Sequence, residues 1–154
     1  IPAMLTSLAT CSSAASVPIN MSCTKKIGVP SDVGEVTISL GTSFHKDGSA
    51  IGSVFKIMAL VSLFGINMST GLAFKVLFVS VIATLLVSAV PIGGGSISEM
   101  LILNLMGMPV EALPILTVIA TVIDAPATVL NVIGDASVSM VTAKVIEKNK
   151  KCMS

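Results

Sequence analysis

The chain contains 154 residues, of which 53% are apolar and 11% are charged, and its mean hydropathy is +0.99. A soluble domain usually carries about 25% charged residues because its surface faces water, so this composition favours a protein that folds in a bilayer. The net charge is +1 and all nine basic residues are lysines. This balance excludes the concentrated basic patch of a nucleic-acid-binding domain.

Small and polar residues interrupt the first and third apolar blocks. The sequence TCSSAASVP spans residues 10–18, and VPIGGGS spans residues 90–96. A backbone that leaves the helical conformation cannot face lipid, because its N–H and C=O groups would lack partners. We therefore predict two helical hairpins that enter the membrane and turn back, a partial first hairpin at residues 1–27 and a second at residues 70–110.

A polar stretch also interrupts the second apolar block. Residues 33–66 are long enough to cross a bilayer of about 30 Å, but they contain SFHKDGS at residues 43–49. Unwound helices near the bilayer midplane are the usual binding sites of secondary transporters, so we predict an unwound transmembrane helix here. An exposed loop at His45 and Lys46 is the alternative, since the sequence HKDG is also typical of a turn.

The last apolar block predicts a long transmembrane helix at residues 112–146, followed by a polar tail at residues 147–154. At about 100° per residue, four polar residues fall on one narrow stripe of this helix. They are Asp124, Thr128, Asn131 and Asp135. Each carboxylate in a membrane span costs about 2.5–3.5 kcal/mol on insertion scales. The two acids therefore either pair with lysines of other helices or line a path for a cation or substrate, and we favour the path.

Asp47 and Asp135 are the candidate cation ligands, because hard cations bind oxygen atoms. Lys46 is adjacent to Asp47 and would repel a metal ion or neutralise the carboxylate. Lys56 is expected to face the interior of a helix bundle or a wet cavity.

No motif predicts an enzyme or an organic cofactor. Gly93-Gly94-Gly95 lacks the GK[ST] ending and the strand–helix context of a phosphate loop. His45 is the single histidine, and no Ser/His/Asp or Cys/His arrangement is supported around it. The three cysteines have no metal-binding spacing.

Four motifs, taken in order, resemble the glutamate-transporter-like family of dicarboxylate/amino acid:cation symporters. TCSSAASVP is similar to the serine-rich tip of the family's first hairpin, and SLGTSFHKDGSA (residues 39–50) is similar to its PLGATxNMDGTA. VPIGGG (residues 90–95) is similar to the VPGxG of its second hairpin, and IDAPATVLNVIGD (residues 123–135) to IDMGRTxxNVxGD. The resemblance implies an all-α, elevator-type transport domain with re-entrant hairpins and broken transmembrane helices, in which the second hairpin acts as a gate.

The resemblance also implies that the chain is the C-terminal part of a longer, multi-pass protein of the cell (inner) membrane. Scaffold helices would precede it, and the full-length protein would be a homotrimer. It would carry out symport of an amino acid with Na⁺ or H⁺ and need no other cofactor.

The resemblance assigns two sets of site residues. The substrate would contact Ser12, Ser13, Ser49, Val90, Asp124, Thr128 and Asn131. Coupling cations would contact Gly41, Ser43, His45, Asp47, Thr84, Leu85, Val87, Asn131 and Asp135. Within these sets, Asp124 would hold the α-amino group of the substrate, and Na⁺ would bind at Asp47 and at Asp135.

Departures from the family pattern bear on the substrate and the ion. Ala127 stands where the family has an arginine that clamps a side-chain carboxylate, and Cys11 stands where the first tip often has an arginine. Neither replaces a bidentate guanidinium, so we predict a neutral rather than an acidic amino acid. His45-Lys46 in place of Asn-Met leaves both Na⁺ and H⁺ open as coupling ions.

Two alternatives come from other classes of protein. The chain could belong to a truncated or degenerate family member without transport activity. It could also be a small soluble enzyme with an unusually apolar core, which would be extracted into buffer without detergent.

Overall fold

The computed structural model describes residues 1–88 and 94–153. Over these residues the chain forms seven α-helices and one short 3₁₀ helix, Val110–Ala112, with no strand. The α-helices are α1 (Pro2–Thr10), α2 (Ser13–Lys26), α3 (Ser31–Phe44), α4 (Asp47–Leu63), α5 (Thr70–Ser88), α6 (Gly94–Met106) and α7 (Leu113–Met153). The predicted all-α class is confirmed for this part of the chain, whereas re-entry into a membrane stays a prediction. The tip of the second predicted hairpin, including Val90, lies outside the described residues.

A two-residue break separates α1 from α2 at the first predicted hairpin tip. Cys11 ends α1 in a left-handed conformation with φ of 48°, and its N–H donates to the Ser7 carbonyl at 2.9 Å. Ser12 caps α2 by accepting the Ala15 N–H at its Oγ, which satisfies one of the unpaired donors at a helix start. The two helices pack against each other.

A second two-residue break, His45–Lys46, separates α3 from α4. His45 has extended backbone angles, and its N–H donates to the Gly41 carbonyl at 2.8 Å. The polar stretch of the sequence is longer than this break, since Ser43 still lies in α3 and Asp47 already lies in α4. Asp47 is in the first turn of α4, where a carboxylate is stabilised by the positive end of the helix dipole.

The chain divides into two compact units. The first unit consists of Ile1–Asp47 and Thr128–Ser154, and the second of Gly48–Ala127. One boundary lies next to the His45–Lys46 break. The other lies beside Pro126, which has no N–H to donate within α7.

The second unit contains an apolar core. Its buried members are Ile57, Leu60, Val61, Val76, Val79, Ala83, Ile102, Leu103, Met106, Met108, Ala112 and Leu116. In the first unit, polar residues are prominent among the buried ones: Ser7, Ser16, Asn20, Thr24, Thr128, Asn131, Asp135 and Ser139. The second unit also buries polar residues, namely Ser53, Lys56, Ser80, Thr84 and Glu99. Both units therefore contain buried groups that require hydrogen-bond partners.

Among the described residues, one helical segment is long and apolar enough to cross a membrane, Val110–Cys152. Most of its apolar stretch is not buried in the protein. The 41 residues of α7 extend over about 60 Å at 1.5 Å per residue, twice the hydrocarbon thickness of about 30 Å. Only part of α7 can therefore lie in a bilayer, in agreement with the polar character of residues 147–154.

Candidate functional site

Three of the predicted cation-binding residues come together in the first unit. The His45 Nδ1 atom lies 3.3 Å from Asp135 Oδ1 and 3.9 Å from Asp47 Oδ1. The Asp135 side chain is 1% exposed, whereas those of His45 and Asp47 are 34% and 52% exposed. His45, Asp47 and Asp135 are called the His45 cluster below; it runs from a buried carboxylate to a partly exposed one.

The buried end of the His45 cluster has unused hydrogen-bonding capacity. His45 Nδ1 and Asp135 Oδ1 are both buried, and neither makes a hydrogen bond of good geometry. A buried polar atom without such a partner is rare in native proteins and calls for an explanation such as a bound ion or a functional role. Asp135 Oδ1 is therefore a candidate acceptor for a cation or a donated proton.

Two glycines allow the His45 cluster to pack. A Cβ atom on Gly41 would overlap Asp135 Oδ1, and one on Gly134 would overlap His45 Cε1. The same added atom on Gly134 would lie 2.9 Å from His45 Nδ1 and 3.4 Å from Asp47 Oδ2. The absence of side chains on α3 and α7 at these positions lets the imidazole and the carboxylates approach each other.

Other polar contacts fix α7 within the first unit. The Asn20 side-chain amide donates to the Val132 carbonyl at 3.0 Å in a buried position. The hydroxyls of Thr37 and Ser139 lie 2.6 Å apart. Thr128 and Asn131 are buried, as is Asp135. The last three residues of the predicted polar stripe therefore all lie in the interior of this unit.

Asp124, the remaining residue of the stripe, lies in the second unit and pairs with a lysine. The Lys56 ammonium donates to Asp124 Oδ1 at 2.6 Å. The Lys56 side chain is 7% exposed and that of Asp124 is 42% exposed. The sequence left open whether the acids of α7 pair with lysines of other helices, and for Asp124 the structure shows this pairing.

Ala127 faces α4 in the same unit and is buried. An ideal Cβ atom on Gly52 would lie 3.4 Å from the Ala127 Cβ and 2.9 Å from Ile123 Cγ2. The two helices therefore approach closely at the position where the family pattern has an arginine. The small residues on both helices leave a long guanidinium side chain little room on this face.

The other predicted site residues are distributed over both units. Ser12 and Ser13 lie half-buried at the start of α2, and Ser43 lies exposed near the end of α3. In the second unit, Ser49 lies in α4 and is half-buried. Thr84 is buried in α5, its hydroxyl donates to the Ser80 carbonyl at 2.7 Å, and it lies 3.4 Å from the Ser53 hydroxyl.

Two further predicted positions lie in α5, those of Leu85 and Val87. Val90 lies outside the described residues. The assignment of all these residues to substrate and cations remains a prediction.

The sequence did not predict one glycine of the His45 cluster and one buried acid elsewhere in the chain. Gly134 precedes Asp135 directly in the NVIGD motif, and its position in that motif was the available signal. Glu99 is buried in α6 and accepts a 2.5 Å hydrogen bond from the Thr117 hydroxyl. No local pattern marked Glu99, because its partner lies 18 residues further along the chain.

Within residues 1–88 and 94–153, no group of three or more His, Cys, Asp or Glu side chains has the arrangement of a metal-binding cluster. A cation at the His45 cluster would need backbone carbonyl oxygens beside the carboxylates, and hard cations accept both kinds of ligand. The Gly41 carbonyl accepts a hydrogen bond from the His45 N–H at 2.8 Å, and a carbonyl oxygen carries two lone pairs.

A cavity of about 660 Å³ lies away from the His45 cluster. It is lined by the turn between α2 and α3 and by the C-terminal part of α7, including Asp32, Lys144 and Glu147. It contains none of the predicted site residues.

Comparison with known proteins gives concordant results. The sequence profile of the sodium:dicarboxylate symporter family matches residues 1–145. The chain is 30% identical over 132 residues to the human neutral amino acid transporter A, covering 85% of this chain and 25% of that protein. It is 27% identical over 135 residues to an excitatory amino acid transporter of Caenorhabditis elegans, covering 87% of this chain and 27% of that protein.

A bacterial protein shows a similar degree of identity. The chain is 28% identical over 141 residues to the proton/sodium-glutamate symport protein of Bacillus caldotenax, covering 92% of this chain and 33% of that protein. No solved structure matches the chain. The chain thus spans about a quarter to a third of the length of the curated relatives it matches.

The family profile covers nearly the whole chain, and residues 1–88 and 94–153 form helices without a strand. The chain therefore belongs to the sodium:dicarboxylate symporter family.

Proposed function

We propose that this chain is the C-terminal part of the transport domain of a cation-coupled amino acid symporter. The observation that carries the proposal is the buried Asp135 carboxylate, whose Oδ1 atom lies beside His45 and lacks a hydrogen bond of good geometry. An ionisable residue in a membrane-spanning helix is retained for a partner, an ion or a proton. The names of its relatives, which include sodium-coupled and proton-coupled transporters of amino acids, point to the same activity.

The coupling ion is Na⁺ or H⁺ in this proposal, bound near Asp47 and Asp135. The oxygen set would comprise these two carboxylates together with Asn131 and the carbonyls of Gly41 and His45. The His45 imidazole lies against Asp135 Oδ1 at 3.3 Å, so an ion that binds this oxygen has to share it with the ring or shift it. The proposed sodium contacts of Ser43, Thr84, Leu85 and Val87 complete the predicted cation set.

The substrate is an amino acid, with its α-amino group held by the half-exposed Asp124 carboxylate. A neutral side chain is favoured because Ala127 is buried against α4 at the position of the clamping arginine. The remaining proposed contacts are Ser12, Ser13, Ser49, Val90, Thr128 and Asn131.

The rest of the proposed architecture follows from the family. The hairpins would be re-entrant, the second would act as a gate, and the domain would move as an elevator in a homotrimer of the cell membrane. Scaffold helices encoded upstream of this chain are required by the proposal, and the upstream coding sequence tests their presence directly.

The role of Asp124 is tested by uptake in proteoliposomes that contain the full-length protein. A single Asp124→Asn substitution would leave the Lys56 ammonium buried without a carboxylate, which is unfavourable. The double variant Asp124→Asn/Lys56→Gln removes both charges and avoids this cost. We expect it to elute as folded protein in detergent and to lose amino acid uptake.

The control for this experiment is Glu147→Gln, which removes an exposed carboxylate paired with Lys151 and should leave uptake unchanged. Uptake by the double variant at the wild-type rate would show that Asp124 does not serve the substrate. A full-length wild-type protein that is folded but transports no amino acid would instead support the inactive family member.

Ion replacement identifies the coupling cation. Uptake is measured with an inward Na⁺ gradient, and then with N-methyl-D-glucamine in place of Na⁺ and an inward proton gradient. One of the two gradients is expected to drive accumulation, and Asp135→Asn is expected to abolish that dependence. Amino acid accumulation that is independent of both the Na⁺ gradient and the proton gradient would contradict cation coupling.

A further inference from the structure

The partner of Asp124 belongs to the same chemical class as the group it is proposed to bind. The Lys56 ammonium of α4 lies 2.6 Å from Asp124 Oδ1 of α7. The amino group of an amino acid is also an ammonium, with the same charge and donor geometry. The carboxylate thus already holds, within the chain, a cation like that of the substrate.

Lys56 cannot readily leave this carboxylate. Its side chain is almost fully buried, and its neighbours in α4 include Ile57 and Leu60, both fully buried in the apolar core. A buried ammonium that loses its carboxylate becomes an unpaired charge in a medium of low dielectric, which is strongly unfavourable. Lys56 therefore stays on Asp124 when a second ligand arrives.

The close approach of α4 and α7 holds the pair in place. Gly52 lies one helical turn before Lys56, and a Cβ atom added there would lie 2.9 Å from Ile123 Cγ2 and 3.4 Å from the Ala127 Cβ. In α7, Ile123 directly precedes Asp124 and Ala127 follows it by three residues. The interface between α4 and α7 therefore contains both the close approach at Gly52 and the Lys56–Asp124 pair. The Asp124 side chain is nevertheless half-exposed, so a ligand can approach the carboxylate from its exposed side.

We propose that Lys56 is a specificity-determining residue whose ammonium shares the Asp124 carboxylate with the amino group of the substrate and weakens that contact. Two ammonium groups on one carboxylate repel each other, so each binds less tightly than it would alone. The inference rests on the proposed function, because it takes Asp124 as the ligand of the amino group. It predicts weak discrimination between an α-amino acid and the 2-hydroxy acid of the same carbon skeleton.

The test uses Lys56→Met in the full-length protein, because methionine keeps most of the side-chain length and removes the charge. The KM for a neutral amino acid is expected to fall about tenfold, equivalent to about 1.4 kcal/mol, while the KM for its 2-hydroxy analogue stays unchanged. Discrimination between the two substrates therefore rises about tenfold. Lys56→Arg retains the charge and should keep the wild-type ratio.

The matched control is Lys75→Met. Lys75 donates to the Met106 carbonyl at 3.2 Å and faces no carboxylate in that contact, so the substitution removes a lysine and leaves the Lys56–Asp124 pair intact. The ratio of the KM for the 2-hydroxy acid to the KM for the amino acid should equal that of the wild type. If Lys56→Met is not recovered as folded protein, Lys56→Gln replaces it. This variant also removes the charge, with a smaller polar side chain, and the same change in the KM values is expected.

The outcomes separate this inference from the proposed function. An unchanged ratio of KM values in Lys56→Met and Lys56→Gln, with uptake lost in Asp124→Asn/Lys56→Gln, overturns the inference and leaves the amino-group role of Asp124 standing. Full uptake by the double variant overturns both. A ratio that changes equally in Lys75→Met overturns the inference as well, since the effect would then be a general one of losing a lysine.

Discussion

The substitution Gly134→Ala tests the geometry of the His45 cluster most directly. The added Cβ atom would overlap His45 Cε1 and would lie 2.9 Å from His45 Nδ1, well inside the usual contact distance of about 3.5–4.0 Å. Asp135 Oδ1 already lies 3.3 Å from Nδ1, so this carboxylate limits the movement of the ring on that side. Overpacking of this kind costs about 1–3 kcal/mol, so Gly134→Ala should lower the stability of the folded protein by that amount.

The assay is denaturant unfolding of the full-length protein in detergent, followed by helical circular dichroism, with the midpoint converted to a free energy. A double-mutant cycle with His45→Ala isolates the contact. Since the alanine at position 45 removes the ring, Gly134→Ala should cost little in that background. The difference between the two backgrounds should be about 1–3 kcal/mol.

A matched glycine controls for the general effect of the substitution. Gly71 lies in the first turn of α5, and an added Cβ atom there would meet nothing within 4 Å. Gly71→Ala should therefore be neutral or stabilise the protein by up to about 1 kcal/mol through the lower backbone entropy of the unfolded chain. If Gly134→Ala behaves like Gly71→Ala, or costs the same with and without His45, the packing described for the His45 cluster is wrong.

Two further substitutions test the buried polar contacts by the same unfolding assay. Asn20→Ala removes a buried hydrogen bond to the Val132 carbonyl and should cost about 0.5–1.5 kcal/mol. A cost below the error of the assay would refute this contact. Thr117→Val keeps the shape but removes the hydroxyl that donates to the buried Glu99, and should also cost about 1–3 kcal/mol. Thr121→Val, an exposed position one turn further along α7, is its control, and equal effects at the two positions would contradict the Glu99 contact.

The helical class and the polar stripe of α7 could be predicted because they depend on local order. The 3.6-residue period placed Thr128, Asn131 and Asp135 on one side of the helix, and all three are buried. The interruption near His45 was also visible, since a polar run stands out in an apolar block. Its length was not, because Asp47 joins α4 through interactions with the helix start that composition does not reveal.

By itself, the sequence determined the apolar composition, the order of the four motifs and hence the family. Only the tertiary structure decided what each acid contacts: Lys56 reaches Asp124 across 68 residues, and His45 lies against Asp135. The helical period predicts which face of a helix a residue occupies. Which side chain it contacts there depends on how helices that are distant in the sequence pack together. The contribution of Gly134 has the same origin, because a missing side chain matters only where another residue fills its space.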